Sequence, residues 1–192
     1  MKNIAQSLSI ALSLALAPVA VAQHQTFTVH PDASKVAFSL GGSGHHVEGS
    51  FHVQSGSIDF DRSAQTISGS VVVAAGSGNS GEPSRDKKMN SDVLDVARFA
   101  EISFVPRNYQ GTVAASGDST IQVTGVFTLH GTAHDLTVPV QIHIDGTTLT
   151  AKTQFPVPYV QWGLKDPSIF VLKVAKVVDI DLTLVGSLSA TE

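Results

Sequence analysis

Between Leu136 and Asp145 apolar and polar residues alternate: Leu136, Val138, Val140, Ile142 and Ile144 fall on one side, Thr137, Gln141, His143 and Asp145 on the other. A period of two is the signature of a β-strand with one dry and one wet face. The last stretch repeats it, with Val178, Ile180, Leu182, Leu184 and Leu188 set against Asp179, Asp181 and Thr183. An earlier one places Ile121, Val123, Phe127 and Leu129 on a common face. Shorter runs predict further strands at 35–40, 47–53, 57–61, 66–74, 101–108 and 147–155.

Short turns join these runs. Asp145-Gly146-Thr147 carries the Asp-Gly signal of a tight hairpin, His130-Gly131-Thr132 links two long strands, and Asp59 to Arg62 leads into a return strand. Connections this short leave no room for crossover helices, so neighbouring strands run antiparallel. A meander with one apolar face per strand must bury that face between two sheets or inside a closed barrel, and closure also removes exposed edges. The expected fold is all-β, an antiparallel β-barrel.

One segment departs from the strand pattern. Ser84 can cap a short helix containing Arg85 to Met89, and Ser91 a second containing Val93 to Val96. A flexible approach, Gly76 to Gly81, precedes this helical insertion, which is placed to cover one barrel end. The stretch from Pro156 to Pro167, with the single tryptophan Trp162, is a second irregular segment.

The N-terminus adds an address. Lys2, the apolar run Leu8 to Ala17 and the small-x-small site Ala20-Val21-Ala22 before Gln23 form a secretory leader. The expected organisation is a cleaved leader at 1–22 and one domain at 23–192, exported to the periplasm. The apolar run is shorter than the roughly 20 residues of a spanning helix, so no permanent membrane anchor is expected. The chain has no cysteine, hence no disulfides and no lipidation at an N-terminal cysteine, and its stability must come from apolar burial. Twelve Lys and Arg face 16 Asp and Glu, and removal of Lys2 leaves 11 against 16, a net charge of -5. That balance argues against a nucleic-acid partner, which needs clustered cations.

Catalytic motifs are sparse. No serine sits in a Gly-x-Ser-x-Gly elbow, and Gly41-Gly42-Ser43-Gly44 leads towards a strand rather than a helix, which disfavours a phosphate loop. Asp59 with Asp61, and Asp179 with Asp181, share wet strand faces, where nothing desolvates one carboxylate into a general acid. The eight histidines open an alternative, a histidine-based metal or redox-linked periplasmic binding protein, with His130 and His134 flanking a turn and His52 or His143 as a distant third ligand. They match no recognisable zinc spacing, and neither metal nor cofactor is assigned. Alternation alone does not separate a filled barrel, acting as an interaction module, from a barrel with a cavity. Few aromatics, 6%, and inward valines and isoleucines favour unfilled space suited to a chain-like lipid.

Several motifs then fall in a familiar order: Ser34-Lys35-Val36-Ala37-Phe38, Val47 to Phe51, Gly56 to Asp61, Arg85-Asp86-Lys87-Lys88-Met89, Leu94-Asp95, Glu101 to Phe104, and Gly125 to Leu129 with Gly131-Thr132. Together they resemble the YceI-like periplasmic polyisoprenoid-binding proteins over nearly all of the chain after the leader. Phe27 stands where the family often has tryptophan, and Gln161-Trp162-Gly163-Leu164 where many members have an arginine before Phe-Gly. The resemblance implies a lipocalin-like barrel that holds an isoprenoid chain, polyprenyl or quinone-precursor, without catalysis.

On this basis Val36, Phe38, Phe51, Val71, Val73, Phe104, Ile121, Val123, Phe127, Val138, Val140 and Phe155 are expected to line the channel. Arg85, Asp86 and Trp162 are expected at its rim, with Arg85 and Asp86 either contacting a ligand head group or fixing the insertion. Pairing of two barrels as a homodimer through an edge or a rim is compatible with this plan. Replacing Val138 or Val140 with aspartate is expected to abolish lipid binding or folding; a folded variant that binds unchanged would refute the inward assignment.

Overall fold

A computed structural model of the protein describes residues 24–42, 45–168 and 173–190. The leader expected at 1–22, the start at Gln23, and Ser43 and Gly44 of the glycine-rich segment lie outside the described residues. The strands are β1 (His24–Val29), β2 (Lys35–Gly42), β3 (His45–Asp61), β4 (Thr66–Asn79), β5 (Glu101–Gln110), β6 (Gly117–Leu129), β7 (Thr132–Asp145), β8 (Thr148–Val157) and β9 (Val178–Ala190). From β3 to β9 each pairs antiparallel with the next. Both β1 and β2 pair with β3 on one side and β9 on the other, end to end, so the sheet closes as an eight-staved antiparallel barrel.

The broken stave has a local cause. Pro31 lacks an N–H and opens a 3-10 turn, Pro31–Ala33, that leaves the ladder between β1 and β2. Ser34 repairs the gap: its hydroxyl accepts from the Val185 N–H at 3.0 Å and donates to the His30 carbonyl at 2.8 Å. The His30 N–H in turn donates to the Val185 carbonyl at 2.8 Å. The backbone of β9 therefore keeps its partners where the facing strand is missing.

Parity explains where the sequence pattern breaks. The runs 47–53 and 57–61 form one long strand, β3, not two. Register shifts at Ser50/His52 and Val53/Ser55 change which residues face inward, from Phe51 and Val53 to Ile58 and Phe60. A bulge inserts one residue and so moves the dry face from odd to even positions. The shift at Pro106/Asn108 in β5 does the same, passing from Phe104 and Pro106 to Tyr109, which is 4% exposed.

The insertion is one continuous helical segment rather than two capped helices. Helix α1 (Pro83–Lys88) runs into a π-turn, Met89–Val93. Glu82, not Ser84, is the N-cap: its carboxylate accepts from the Ser84 and Arg85 N–H groups. Ser91 lies within the π-turn and donates to the Lys87 carbonyl at 2.9 Å, so it caps nothing. Nor is the approach a flexible linker, since β4 continues through Gly76–Asn79. Gly78 serves packing there: a Cβ on it would press on Met89 and, at 2.8 Å, on Phe51.

Gly186 in β9 makes a closer approach still, because a Cβ there would overlap the Thr28 carbonyl oxygen of β1 and lie 2.7 Å from the Phe27 ring. Gly186→Ala is expected to cost about 1–3 kcal/mol of stability, read as a lower denaturant midpoint. Gly41→Ala, whose Cβ would meet only Ala175 Cβ at 3.9 Å, is expected to stay within about 1 kcal/mol of the parent.

Candidate functional site

The inward faces of the eight staves enclose a cavity of about 560 Å³ rather than a filled core. That lies within the range of about 300–1,000 Å³ typical of small-molecule pockets. Among the described residues no large side chain is fully buried. Val73, Phe104, Val140, Ile180 and Leu182 point inward yet stay only partly buried, because they face open space instead of one another. β-branched side chains are too short to meet across a barrel of this width.

All twelve residues expected along the channel border this cavity, from Val36 and Phe38 on β2 to Phe155 on β8. Of the three expected at the rim, Arg85 borders it and the other two do not. Asp86 is turned to the chain: Oδ1 accepts from Ser80 N at 2.8 Å and from Ser80 Oγ at 2.6 Å, which ties α1 to the end of β4. Trp162 lies one layer back, stacked on His134 at 4.0 Å and packed on Phe127 at 5.8 Å.

The two barrel ends differ. At one, Phe60, Tyr109 and Val113 are buried, and the Tyr109 hydroxyl donates to the Asp61 carbonyl at 2.9 Å. At the other, the lining residues Ser84, Arg85, Lys88 and Pro167 are exposed, which marks the mouth. Around it the insertion and the segment after β8 form a second apolar cluster of Leu94, Leu129, Val157, Tyr159 and Leu164. The Tyr159 hydroxyl donates to the Ala175 carbonyl at 2.8 Å, Ala175 N–H donates to Gly41 at 2.8 Å, and Lys165 Nζ lies 3.9 Å from Asp92. The lid is thereby stapled to the β2 end and to the insertion.

Sequence periodicity missed Tyr109, Tyr159, Leu94, Leu164 and Lys88. Tyr109 follows a bulge, and Tyr159, Leu94 and Leu164 sit in segments with no strand period. Lys88 had a signal: it follows Arg85 by three residues, which puts both on one face of α1.

Asp61, Glu82 and Asp166 are held below the ordinary carboxylate range, chiefly by hydrogen bonds from Ser63, Ser84 and Ser168 respectively. A general acid needs the opposite shift. Among the described residues no three His, Asp or Glu side chains converge as metal ligands. His130 packs on Phe99 at 4.4 Å, His134 on Trp162, and His143 Nδ1 lies 2.7 Å from Asp118, so the histidines weighed as ligands have separate surroundings.

Both tyrosines of the chain have raised pKa values. Burial, then the charge of Asp166, pushes Tyr159 to about 12, and burial, then Asp61, raises Tyr109 above the ordinary 10.0. Because the folded pKa exceeds the unfolded one, their contribution to stability is full below about pH 10 and is lost at higher pH, for Tyr159 as pH rises towards 12. Ultraviolet titration of the folded protein is expected to show less tyrosinate at pH 10 than two free phenols, each half ionised there, would give. Half-ionisation there would mean that Tyr159 is not buried at the lid.

The chain matches the YceI-like domain over residues 27–186. A UPF0312 protein of Pseudomonas fluorescens (strain SBW25) is 30% identical over 151 residues, covering 73% of each chain. Burkholderia cenocepacia BcnA superposes with a TM-score of 0.68 at 24% identity, over 82% of this chain and 99% of that one. A polyisoprenoid binding domain from Saccharophagus degradans, implicated in plant cell wall breakdown, superposes with a TM-score of 0.63 at 14% identity, over 86% of this chain and 98% of the other. These two solved structures share the barrel fold. With the domain match spanning 160 of its 192 residues, this chain belongs to the YceI-like family.

Proposed function

We propose that this protein binds a hydrophobic lipid with an isoprenoid-type chain inside its barrel, as a non-catalytic carrier or scavenger exported to the periplasm. The observation that carries this reading is the cavity of about 560 Å³, apolar along its length and open at one end. Burying each CH₂ contributes about 0.8 kcal/mol, so ten such groups supply on the order of 8 kcal/mol before the costs of association. No specific polar contact is needed for that. Family membership supports the reading, as does the polyisoprenoid binding named for the Saccharophagus degradans domain of the same fold. The leader pattern at 1–22 supports export. Among the described residues no helix is long and apolar enough to cross a membrane.

Mass spectrometry of an organic extract of the protein, purified without detergent from its native host, is expected to give a stoichiometric isoprenoid-type lipid. An extract without lipid, together with failure of the purified protein to take up geranylgeraniol, overturns the proposal. Filling the cavity gives a second test. Ala151→Phe places a ring where Ala151 now borders the cavity and displaces on the order of two CH₂ groups of ligand, about 1.6 kcal/mol. Geranylgeraniol affinity is expected to fall by at least about tenfold with the fold retained.

A further inference from the structure

We infer that the floor formed by Phe60, Tyr109 and Val113 limits the guest to a single short isoprenoid chain, about four units long, and excludes chains of twice that length or more. The inference rests on the lipid-binding reading above and fixes the length class of the ligand. Three observations converge on it.

The first is a stop. Phe60, Tyr109 and Val113 border the cavity and are at most 6% exposed. On β7 the lining ends at Ile142 and on β9 at Leu184, while the inward residues beyond them, Ile144 and Leu188, are buried in the core cluster and do not border the cavity. The floor is tied down from several sides. The Tyr109 hydroxyl donates to the Asp61 carbonyl at 2.9 Å, the Arg62 guanidinium lies over the Phe60 ring at 5.6 Å, and Gln65 Nε2 donates to the Gly111 carbonyl at 3.2 Å. These contacts join the turn after β3 to the end of β5, so a guest cannot pass this end without unmaking them.

The second is length. On β6, which has no bulge, the lining runs from Ile121 to Leu129, and a strand rise of about 3.3 Å at a tilt of about 40° makes that about 20 Å along the barrel axis. An extended isoprene unit, four carbon–carbon bonds long, covers about 5 Å, so about four units fit in line.

The third is volume. A hydrocarbon carbon takes up about 23 Å³ at the packing density of a protein interior, so a cavity of about 560 Å³ accepts about 24 carbons, between four and five isoprene units. Spread over about 20 Å, the same volume gives a cross-section of about 28 Å², enough for one extended chain and too little for a chain doubled back on itself. Length and volume therefore agree, and a longer guest has no space for its surplus. Each further unit stands outside the mouth in water.

Geranylgeraniol is four isoprene units long, and solanesol is more than twice as long with the same head group. The full protein is incubated with phosphatidylcholine vesicles carrying both alcohols in equal amounts, recovered without detergent and extracted for mass spectrometry. Both guests leave the same apolar bilayer, so their ratio on the protein reads the fit inside the barrel. Geranylgeraniol is expected in at least about a hundredfold excess. Two substitutions move the limit in opposite directions. Tyr109→Ala removes from the floor a phenol of about one unit's volume, and uptake of the five-unit alcohol geranylfarnesol relative to geranylgeraniol is expected to rise at least about threefold. Ala151→Phe adds a ring just above the floor, on the residue paired with Ile142, and is expected to lower geranylgeraniol uptake about tenfold while farnesol uptake stays unchanged. Equal uptake of solanesol and geranylgeraniol by the parent, a folded Tyr109→Ala protein with unchanged preference, or an Ala151→Phe protein that loses both shorter alcohols alike overturns the length limit and leaves lipid binding standing. Failure of the parent to take up any of these alcohols overturns the cavity reading and this inference with it.

Discussion

Width is the constraint on which the rest of this molecule depends. Closing eight staves satisfies every strand edge, but it also fixes a diameter that the inward side chains must either span or leave open. Here the inward positions are largely valine, isoleucine and leucine, with phenylalanines spread among six strands. Short branched side chains line a wall well and fill a centre poorly. The cavity, the partial exposure of residues such as Val140 and Leu182, and the need to cover one end all follow from that mismatch.

Keeping the wall apolar all the way round requires each strand to hold its dry face towards the axis while the sheet bends. Bulges in β3 and β5 absorb the bending, and each reverses the parity of the residues beyond it. The proline break between β1 and β2 is a third accommodation, made tolerable because the Ser34 hydroxyl supplies β9 with an acceptor and the His30 N–H with a donor. These irregularities belong to the closure of the barrel rather than departing from it.

They also decide how much of the structure was legible in the sequence. Strands without bulges, β6, β7 and β9, showed their faces directly, and the five inward residues named on β6 and β7, Ile121, Val123, Phe127, Val138 and Val140, border the cavity. Strand β3 looked like two strands because its period reverses at Val53/Ser55. The Gly76–Gly81 stretch looked like a linker because composition cannot distinguish a glycine chosen for freedom from one, like Gly78, chosen to let Met89 and Phe51 come close. The lid was least legible: Tyr159, Leu164 and Trp162 are placed by contacts with distant strands and with the insertion, which no local period encodes. Arg85 was identified from its motif, whereas Asp86 beside it serves the attachment of α1, a role that follows from the position of Ser80.

The end sealed by Phe60, Tyr109 and Val113 makes the cavity a blind tube, and that has a kinetic consequence. A linear guest in a blind tube leaves as it came, tail first in and tail last out, with no second exit to shorten the path. Each carbon withdrawn is returned to water at about 0.8 kcal/mol, a factor of about four in rate per CH₂ if escape requires full withdrawal. Dwell time in such a tube grows geometrically with guest length until the tube is full and then stops growing. A blind tube is thus a molecular ruler whose readings are in time, sorting short guests from long ones by how soon they fall out.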